Sequence, residues 1–332
     1  MSDSIRVGVA GLTHGHVWGL IDAWKKANDT QLVAVADETP LLEKAAGNFE
    51  RTYADWRQML EKEKLDALVV TSNNVESAQI AVEALGAGIP CMVEKAMAAN
   101  AKDADRMLEA MRKSGKALMI NWPIAWSPAI QEFMRLAASG EVGPIFHLRF
   151  RNGHPGPKEI GCDQWFVSWL YDEKLNGGGA IADFCCYGAV VARFVLGMPE
   201  SVFCVKGNYT KDYQVSDDHA ICVLKFPKAS AVLEGTWATV GMDEGDNPVA
   251  HGKTGTVSVK KGEVLMAKQG QDRAVVTPHE LEFKSPADYF IACIKSGKKP
   301  EGILDPVIAA DACRILDAAT EANKSGCAVK PG

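Results

Sequence analysis

Short apolar segments alternate with longer helical patterns along the first third of the chain. The apolar segments are Ile5–Ala10, 31–37, 66–72, 90–95 and 117–121, and helical periodicity covers 15–26, 75–87 and 100–114. Strands that are apolar on both faces and separated by helices are typical of a parallel sheet covered on both sides. The pattern therefore predicts a doubly wound α/β domain of the dinucleotide-binding kind.

The pattern changes after Asn121. Alternating, strand-like segments lie at 144–151, 201–209, 219–226, 229–238 and 254–268, and helical patterns cover 127–139, 162–174, 178–196, 286–297 and 305–325. Long alternating strands joined by turns favour an open, mostly antiparallel sheet. We therefore expect a first domain over 1–124 and a second α/β domain over 125–332. The terminal helix 305–325 could pack back on the first domain.

Small and polar residues follow the predicted strands of the first domain. They are Gly11-Leu12-Thr13-His14-Gly15-His16, then Asp37, Ser72-Asn73-Asn74, Glu94-Lys95 and Asn121. In wound parallel sheets, ligands bind outside the carboxyl ends of the strands. The sequence therefore predicts a ligand site at this edge of the sheet.

The loop after the first strand matches the dinucleotide fingerprint G-x-G-x-x-G only in part. Gly11 fits, whereas Thr13 and His16 occupy the other two glycine positions. Asp37 follows at about the 20-residue spacing of the acid that binds the ribose hydroxyls, which favours NAD and leaves NADP possible. His14 is interpreted, with His16, as a helix-capping or phosphate-contacting residue. No third metal ligand is evident, so no metal site is predicted.

The composition excludes several classes of protein. A net charge of -6 argues against a protein that binds nucleic acid. No apolar run approaches the ~20 residues of a membrane span, and the first residues do not resemble a signal peptide. The nine cysteines are odd in number and lack C-x-x-C spacing, which is typical of reduced thiols. We expect a cytoplasmic protein without membrane partners.

The segment 176–197 carries three glycines that lead into an apolar helix. The glycines leave backbone N–H groups free and permit close approach. Asp183 and Tyr187 lie four residues apart and share one face of the helix, where both need partners. A core tyrosine with a satisfied hydroxyl is the alternative interpretation. The Asp217-Asp218-His219 segment is expected to be an exposed turn.

Three motifs together resemble the glucose-fructose oxidoreductase / inositol dehydrogenase / MocA (Gfo/Idh/MocA) family. They are Glu94-Lys95-Ala96, Gly177-Gly178-Gly179 with Asp183, and Glu234-Gly235-Thr236-Trp237. The likeness covers essentially the whole chain. It implies an N-terminal Rossmann domain and a C-terminal α/β domain whose sheet forms a homodimer or homotetramer. It also implies NAD(P)-linked oxidation or reduction of a sugar, cyclitol or related polyol.

The resemblance also implies roles for individual residues. By position, Lys95 resembles the family's catalytic lysine and Asp183 its helix aspartate. The cofactor residues are then Gly11, Leu12, Thr13, His14, His16, Asp37, Ser72, Asn73, Asn74, Glu94, Lys95 and Asn121. There are four departures from the family pattern: Asn73 and Ala96 replace prolines, Tyr187 replaces a histidine, and Val190 replaces an acid.

A mechanistic hypothesis follows from these residues. Lys95 and Tyr187 share the substrate hydroxyl, one of them accepts its proton, and Asp183 orients the site. Burial is expected to lower the pKa of Lys95, and the ammonium to lower that of Tyr187. Aromatic faces suit sugar C–H surfaces, and one or two of the tryptophans are expected in the pocket. The expected substrate contacts are Lys95, His154, Trp165, Asp183 and Tyr187, with His154 as a second proton-transfer candidate.

Two other functions are compatible with this resemblance. One is a glycosidase that oxidises and re-reduces its sugar with bound NAD. The other is a non-catalytic, dinucleotide-sensing regulator, which an incomplete glycine loop and a missing histidine would suit.

Overall fold

The computed structural model describes residues 4–241 and 245–332. Its first sheet has six parallel strands in the order β3-β2-β1-β4-β5-β6. The strands are β1 (Ile5–Ala10), β2 (Thr30–Ala36), β3 (Arg51–Tyr53), β4 (Ala67–Val70), β5 (Cys91–Glu94) and β6 (Leu118–Asn121). This order reverses between β1 and β4, which creates the crevice where dinucleotides bind in such sheets.

Five helices cover the two faces of this sheet. They are α1 (Val17–Lys26), α2 (Leu41–Ala46), α3 (Trp56–Lys62), α4 (Asn74–Gly86) and α5 (Ala101–Ser114). Every residue of β4 and β5 is buried, as expected for strands covered on both sides. The predicted doubly wound domain is confirmed.

The second sheet has eight strands in the order β14-β13-β12-β11-β7-β10-β9-β8. The strands are β7 (Ile145–Gly153), β8 (Ser201–Gly207), β9 (His219–Lys225), β10 (Ser230–Thr236), β11 (Val249–Gly252), β12 (Gly255–Lys260), β13 (Glu263–Lys268) and β14 (Ala274–Val276). The pairing of β10 with β7 is parallel, and the other strand pairs are antiparallel. The predicted open, mostly antiparallel sheet is therefore confirmed.

The helices of the second half pack on one face of this sheet and against the first domain. They are α6 (Pro128–Ser139), α7 (Gln164–Leu170), α8 (Glu173–Asn176), a π-helical turn (Ile181–Cys185), α9 (Cys186–Leu196), α10 (Pro286–Ser296) and α11 (Pro306–Ser325). Helix α11 contacts α5 of the first domain, where the Asp317 carboxylate accepts a hydrogen bond from the Ala101 N–H at 2.9 Å.

Two predicted helices differ from the structure. The single helix expected over 162–174 is instead α7 and α8, because Asp172 caps the start of α8 with its side chain. The helix expected over 178–196 begins with the π-helical turn. The stretch Glu173–Leu196 is long and apolar enough for a membrane span, but most of it is buried inside the fold.

Candidate functional site

Lys95 and Asp183 form an ion pair between the two domains. Lys95 directly follows β5 of the first sheet, and Asp183 lies in the π-helical turn of the second domain. Lys95 Nζ donates to Asp183 Oδ1 at 2.7 Å and to the Asp183 carbonyl oxygen at 3.3 Å. Trp237 Nε1 donates to Asp183 Oδ2 at 2.9 Å. Both charged side chains are buried, at 5% and 8% exposure, and a buried pair needs such additional hydrogen bonds.

Tyr187 lies beside this ion pair, one helical turn after Asp183. Lys95 Nζ is 4.9 Å from the centroid of the tyrosine ring, and the Trp122 ring packs edge-on at 5.6 Å. Among the described residues, the Tyr187 hydroxyl has no hydrogen-bond partner. An ammonium has three N–H donors, and the contacts above use two of them. One Lys95 N–H and the Tyr187 hydroxyl therefore have no hydrogen-bond partner among the described residues, on two side chains that contact each other.

The expected pKa directions of Lys95 and Tyr187 are both wrong. Burial has the largest single effect and lowers the pKa of Lys95, but the Asp183 carboxylate, together with Tyr187 and Cys186, outweighs it in sum, so the pKa of Lys95 lies well above its usual value. Burial raises the pKa of Tyr187, and the nearby ammonium offsets only part of that rise. At neutral pH Lys95 is therefore a cation and Tyr187 a protonated phenol.

Glu94 connects the predicted cofactor residues His16 and Asn121. His16 Nδ1 lies 2.9 Å from Glu94 Oε1, and Asn121 Nδ2 donates to Glu94 Oε2 at 2.7 Å. Trp126 Nε1 donates to Asn121 Oδ1 at 2.9 Å. Both oxygens of this buried carboxylate are thus bound, which fixes the end of β5 next to Lys95.

His14 lies beneath the glycine loop and contacts the backbone of the site. Its Nε2 donates to the Lys95 carbonyl oxygen at 3.1 Å, and its Nδ1 accepts from the His16 N–H at 3.2 Å. Burial lowers the pKa of His14 well below its usual value. Glu94 lies close enough to His14 and His16 for the three side chains to form a possible metal-ligand group. The sequence did not reveal Glu94 as a third ligand. Both nitrogens of His14 are nevertheless occupied by protein contacts.

A cleft of about 430 Å³ lies at the switch point of the first sheet. Its lining includes Gly11, Thr13, Asp37 and Asn73 of the predicted cofactor set. Asp37 Oδ2 accepts from the Leu12 N–H at 2.6 Å, which holds the loop despite its missing glycines. Gly11 has φ +82°, and a Cβ there would lie 2.6 Å from Ser72. These residues fit the adenosine end of NAD, with the acid placed to meet ribose hydroxyls.

The remaining turn residues at the end of β4 have structural contacts. The Asn73 side chain caps α4 by accepting from the Glu76 N–H at 3.0 Å, which accounts for asparagine at this position. The Ser72 hydroxyl bonds to the Glu76 carboxylate. Asn74 Nδ2 donates to Asn176 Oδ1 at 2.9 Å, so Asn74 joins the two domains.

Helix α7 of the second domain lies over the glycine loop. Trp169 Nε1 donates to the Thr13 carbonyl oxygen at 3.3 Å, and the Phe166 ring is 4.9 Å from that of His14. Trp165 lines the cofactor cleft. The structure therefore places this predicted substrate residue in the same cleft as the predicted cofactor residues Gly11 and Asp37.

His154 lies at the end of β7, near the ion pair. Its Nδ1 accepts from the Gly156 N–H at 3.0 Å, and its ring contacts Phe184 edge-on at 5.0 Å. Burial lowers the pKa of His154, and the charge of Asp183 opposes this only in part. The neutral ring thus carries its proton on Nε2, which suits a hydrogen-bond donor better than a proton acceptor.

Two expectations about the second domain are wrong. Asp217 and Asp218 are buried rather than in an exposed turn. The backbone N–H groups of Gly179 and Ile181, at the start of the helix, are not free, because both donate to the Asp217 carboxylate. Trp237 was not predicted as a site residue, although it is the last residue of the Glu234-Gly235-Thr236-Trp237 motif.

Comparisons with known proteins agree with this geometry. Residues 5–122 match the oxidoreductase family with an NAD-binding Rossmann fold, and residues 130–258 match the GFO/IDH/MocA C-terminal domain. Myo-inositol 2-dehydrogenase from Thermotoga maritima is 24% identical over 316 residues, covering 89% of this chain and 90% of the relative.

Two solved structures share the fold over 99% of each chain at 18% identity. One is a levoglucosan dehydrogenase in complex with NADH and levoglucosan, with a TM-score of 0.83. The other is an oxidoreductase from Agrobacterium radiobacter in complex with NAD+, L-tartaric acid and magnesium, with a TM-score of 0.82. The chain is therefore an NAD-binding oxidoreductase that belongs to the Gfo/Idh/MocA family.

Proposed function

We propose that this oxidoreductase interconverts a CH–OH group and a carbonyl on a sugar, cyclitol or related polyol. The observation that carries the proposal is the open Lys95 N–H beside the open Tyr187 hydroxyl, at the carboxyl edge of the NAD-binding sheet. Relatives named myo-inositol 2-dehydrogenase and D-glucoside 3-dehydrogenase support the substrate class.

NAD would be held by the loop from Gly11 to His16, by Asp37 and by Asn73, with Glu94 and Asn121 nearer the reacting end. When bound, it supplies the acceptor or donor of the hydride at the carbinol carbon. The cleft also contains the acids Glu38, Asp55 and Glu76, which disfavour an added 2′-phosphate.

The protein's own groups bind the substrate oxygen and move its proton. Lys95 directs its open N–H at the oxygen and stabilises negative charge that develops there. Tyr187 Oη donates a proton to the oxygen during reduction, and the phenolate accepts it during oxidation. Asp183 and Trp237 hold Lys95 in place, and His154 Nε2–H is a donor for a second hydroxyl.

A panel of polyols, cyclitols and sugars read by NADH absorbance tests the proposal, with NADP in parallel. We expect NADH to form with at least one member of the panel, and NADP to support a lower kcat/KM. NAD binding without turnover on any carbinol would favour the regulator alternative. Sugar release from a glycoside without net NADH would favour the glycosidase alternative.

We further propose a homodimer or homotetramer formed through the second sheet, in the cytoplasm. Exposed apolar residues pair directly across β8 and β9 on one face, Phe203 opposite Val223 and Val205 opposite Ile221. A contiguous apolar sheet face of this kind is typical of an interface. The cysteines are free thiols and most are buried, which suits a reducing compartment.

A further inference from the structure

One acidic residue binds the backbone that leads into the Asp183 turn. Asp217 is fully buried, with 0% exposure. Its Oδ2 accepts from the Gly179 N–H at 3.0 Å and its Oδ1 from the Ile181 N–H at 2.8 Å. Its carbonyl oxygen accepts from the Ala180 N–H at 3.0 Å. Three consecutive amides therefore donate to a single residue, which supplies acceptors that the start of a helix otherwise lacks.

The glycines before the turn make this contact possible. A Cβ on Gly179 would lie 2.0 Å from the Asp217 carbonyl oxygen. Gly177 has φ +89°, and a Cβ there would lie 2.1 Å from the Ala99 carbonyl oxygen of the first domain. The segment is therefore held tightly between Asp217 on one side and the first domain on the other.

The backbone of Asp183 is fixed by this clamp. The N–H groups of Ala182 and Asp183 both donate to the Gly179 carbonyl oxygen at 3.1 Å. The Ile181–Cys185 turn is π-helical, a rare geometry that is frequent at functional sites and sensitive to the chain that enters it. A shift at Gly179 would thus move the carboxylate that binds Lys95.

The residue next to Asp217 holds the other partner of the Asp183 carboxylate. The Trp237 N–H donates to the Asp218 carbonyl oxygen at 2.7 Å, and the Trp237 indole bonds Asp183 Oδ2. Asp217 thus supports Asp183 through the start of the π-helical turn, and the Asp218 carbonyl supports it through Trp237. Lys206 Nζ at 3.0 Å and Ser216 Oγ at 2.7 Å also donate to Asp217 Oδ2, which offsets the cost of burying its charge.

We propose that Asp217 is a positioning residue, which fixes Asp183 against Lys95 and acts on the reaction only through that ion pair. The inference rests on the proposed function for its effect on turnover. The positioning role itself does not depend on the proposed function, because the protonation of Lys95 can be measured without turnover.

The test is site-resolved labelling of Lys95 by acetic anhydride at neutral pH, followed by mass spectrometry. The variants are Asp217→Asn, Asp183→Asn as the direct loss of the partner, and Asp218→Asn as the matched control. The Asp218 side chain also clamps two backbone amides, those of Tyr209 and Thr210 at 2.9 and 2.7 Å, but on another loop.

We expect Asp217→Asn to raise Lys95 labelling about tenfold, towards the level of Asp183→Asn, since each unit lost from the lysine pKa gives about ten times more free amine. Asp218→Asn keeps the backbone carbonyl that binds the Trp237 N–H and should match the wild type. Labelling of Asp217→Asn at the wild-type level overturns the inference, as does an equal rise in Asp218→Asn or no rise in Asp183→Asn. Lys206→Met removes one donor to Asp217 Oδ2 but keeps the Asp217 carboxylate, so it should give a smaller rise in Lys95 labelling. It replaces Asp217→Asn if that variant does not fold, and no rise in it then overturns the inference.

Turnover gives the second readout. Asp217→Asn should lower kcat roughly tenfold or more with the KM for NAD little changed, and adding it to Asp183→Asn should cause no further loss. Additive losses in the double variant would show an independent role for Asp217. If no polyol is oxidised by the wild type, the proposed function fails, while the labelling result still decides the positioning role.

Discussion

At the scale of single residues, two opposing effects act on Lys95. Removal from water favours the neutral amine, whereas the Asp183 carboxylate at 2.7 Å favours the ammonium and is the stronger influence in sum with its neighbours. The pKa of Asp183 is lowered for the same reason, because Lys95 and the Trp237 indole outweigh the effect of burial. In the proposed mechanism Lys95 is therefore a fixed cation that binds and polarises the substrate oxygen, and the proton passes through Tyr187.

The raised pKa of Tyr187 predicts how the two reaction directions depend on pH. The protonated phenol needed for reduction is fully present at neutral pH and is lost only above the raised pKa. The phenolate needed for oxidation is scarce at neutral pH, and its fraction increases tenfold per pH unit below the pKa. We expect kcat for oxidation to rise steadily from about pH 7 to about pH 10 without a plateau, and kcat for reduction to stay level.

The matched variant is Tyr187→Phe, which keeps the ring beneath the ammonium and removes the hydroxyl. It should lower kcat by about 10²–10⁴-fold in both directions and flatten the oxidation profile. Stopped-flow measurement of the hydride step across this pH range is the assay. An oxidation profile that levels off below about pH 8 would assign the proton transfer to another group, with His154 the next candidate.

Lys95, Asp183 and Tyr187 could be predicted from the sequence as members of this candidate site, but Trp237 and the ionisation of Lys95 and Tyr187 could not. Lys95, Asp183 and Tyr187 stand in recognisable motifs at strand and helix positions. The direction of the Lys95 pKa shift depends instead on whether the Asp183 carboxylate lies beside the amine. Local sequence patterns do not predict this contact, because the two residues belong to different domains. Asp217 and Asp218 are two adjacent acids before a strand, and they look like an exposed turn until the three amides that donate to Asp217 are seen.

At the scale of elements, the glycine segment predicts unequal effects of two Gly→Ala substitutions. Gly179→Ala places a methyl group against the Asp217 carbonyl oxygen and should destabilise the protein by about 3 kcal/mol. Gly19→Ala lies in α1 with no atom within 4 Å of its Cβ and should stabilise the protein by up to about 1 kcal/mol. Urea denaturation followed by circular dichroism measures both changes.

The contrast between the two glycines controls for general sensitivity to mutation. Equal and small effects at both positions would mean that the Gly179 backbone can move away from Asp217. The explanation that Gly179 is required for close contact with Asp217 would then be wrong. The inference that this contact fixes the Asp183 turn would fail with it.

The long elements followed from the sequence, whereas the short elements α2, α3, β3, β11 and β14 did not. The buried strands of the first sheet show as apolar runs because both faces are covered. β3 has only three residues, none of them buried, and gives no such run. The π-helical turn has the same apolar periodicity as an ordinary helix, so only the tertiary clamp at Asp217 distinguishes it.

At the scale of the whole molecule, the exposed face of the second sheet predicts self-association. Ile221→Lys places a charge in the middle of the apolar pairs on β8 and β9 and should shift the protein towards monomers. Val240→Lys is the control, since Val240 is exposed outside the sheet. Light scattering coupled to size exclusion measures the mass of each variant.

Wild type and Val240→Lys should elute as the same dimer or tetramer. A monomeric wild type, or an Ile221→Lys variant of unchanged mass, would exclude this face as the interface. The division into two domains was predicted from the change of pattern after Asn121, but the contacts between the domains were not. Contacts such as Asn74 with Asn176 join residues about a hundred positions apart, and no periodicity reports them.

The most direct test of the central claim compares cofactor binding and turnover in Lys95→Met. Methionine fills a similar volume without the charge, so NAD affinity measured by calorimetric titration should stay within a few-fold of the wild type. On the best polyol of the panel, kcat should fall by at least about 10²-fold, because the oxygen loses its charged donor. A fall of less than about tenfold with NAD binding intact would show that the ammonium at this position is not at the centre of the chemistry.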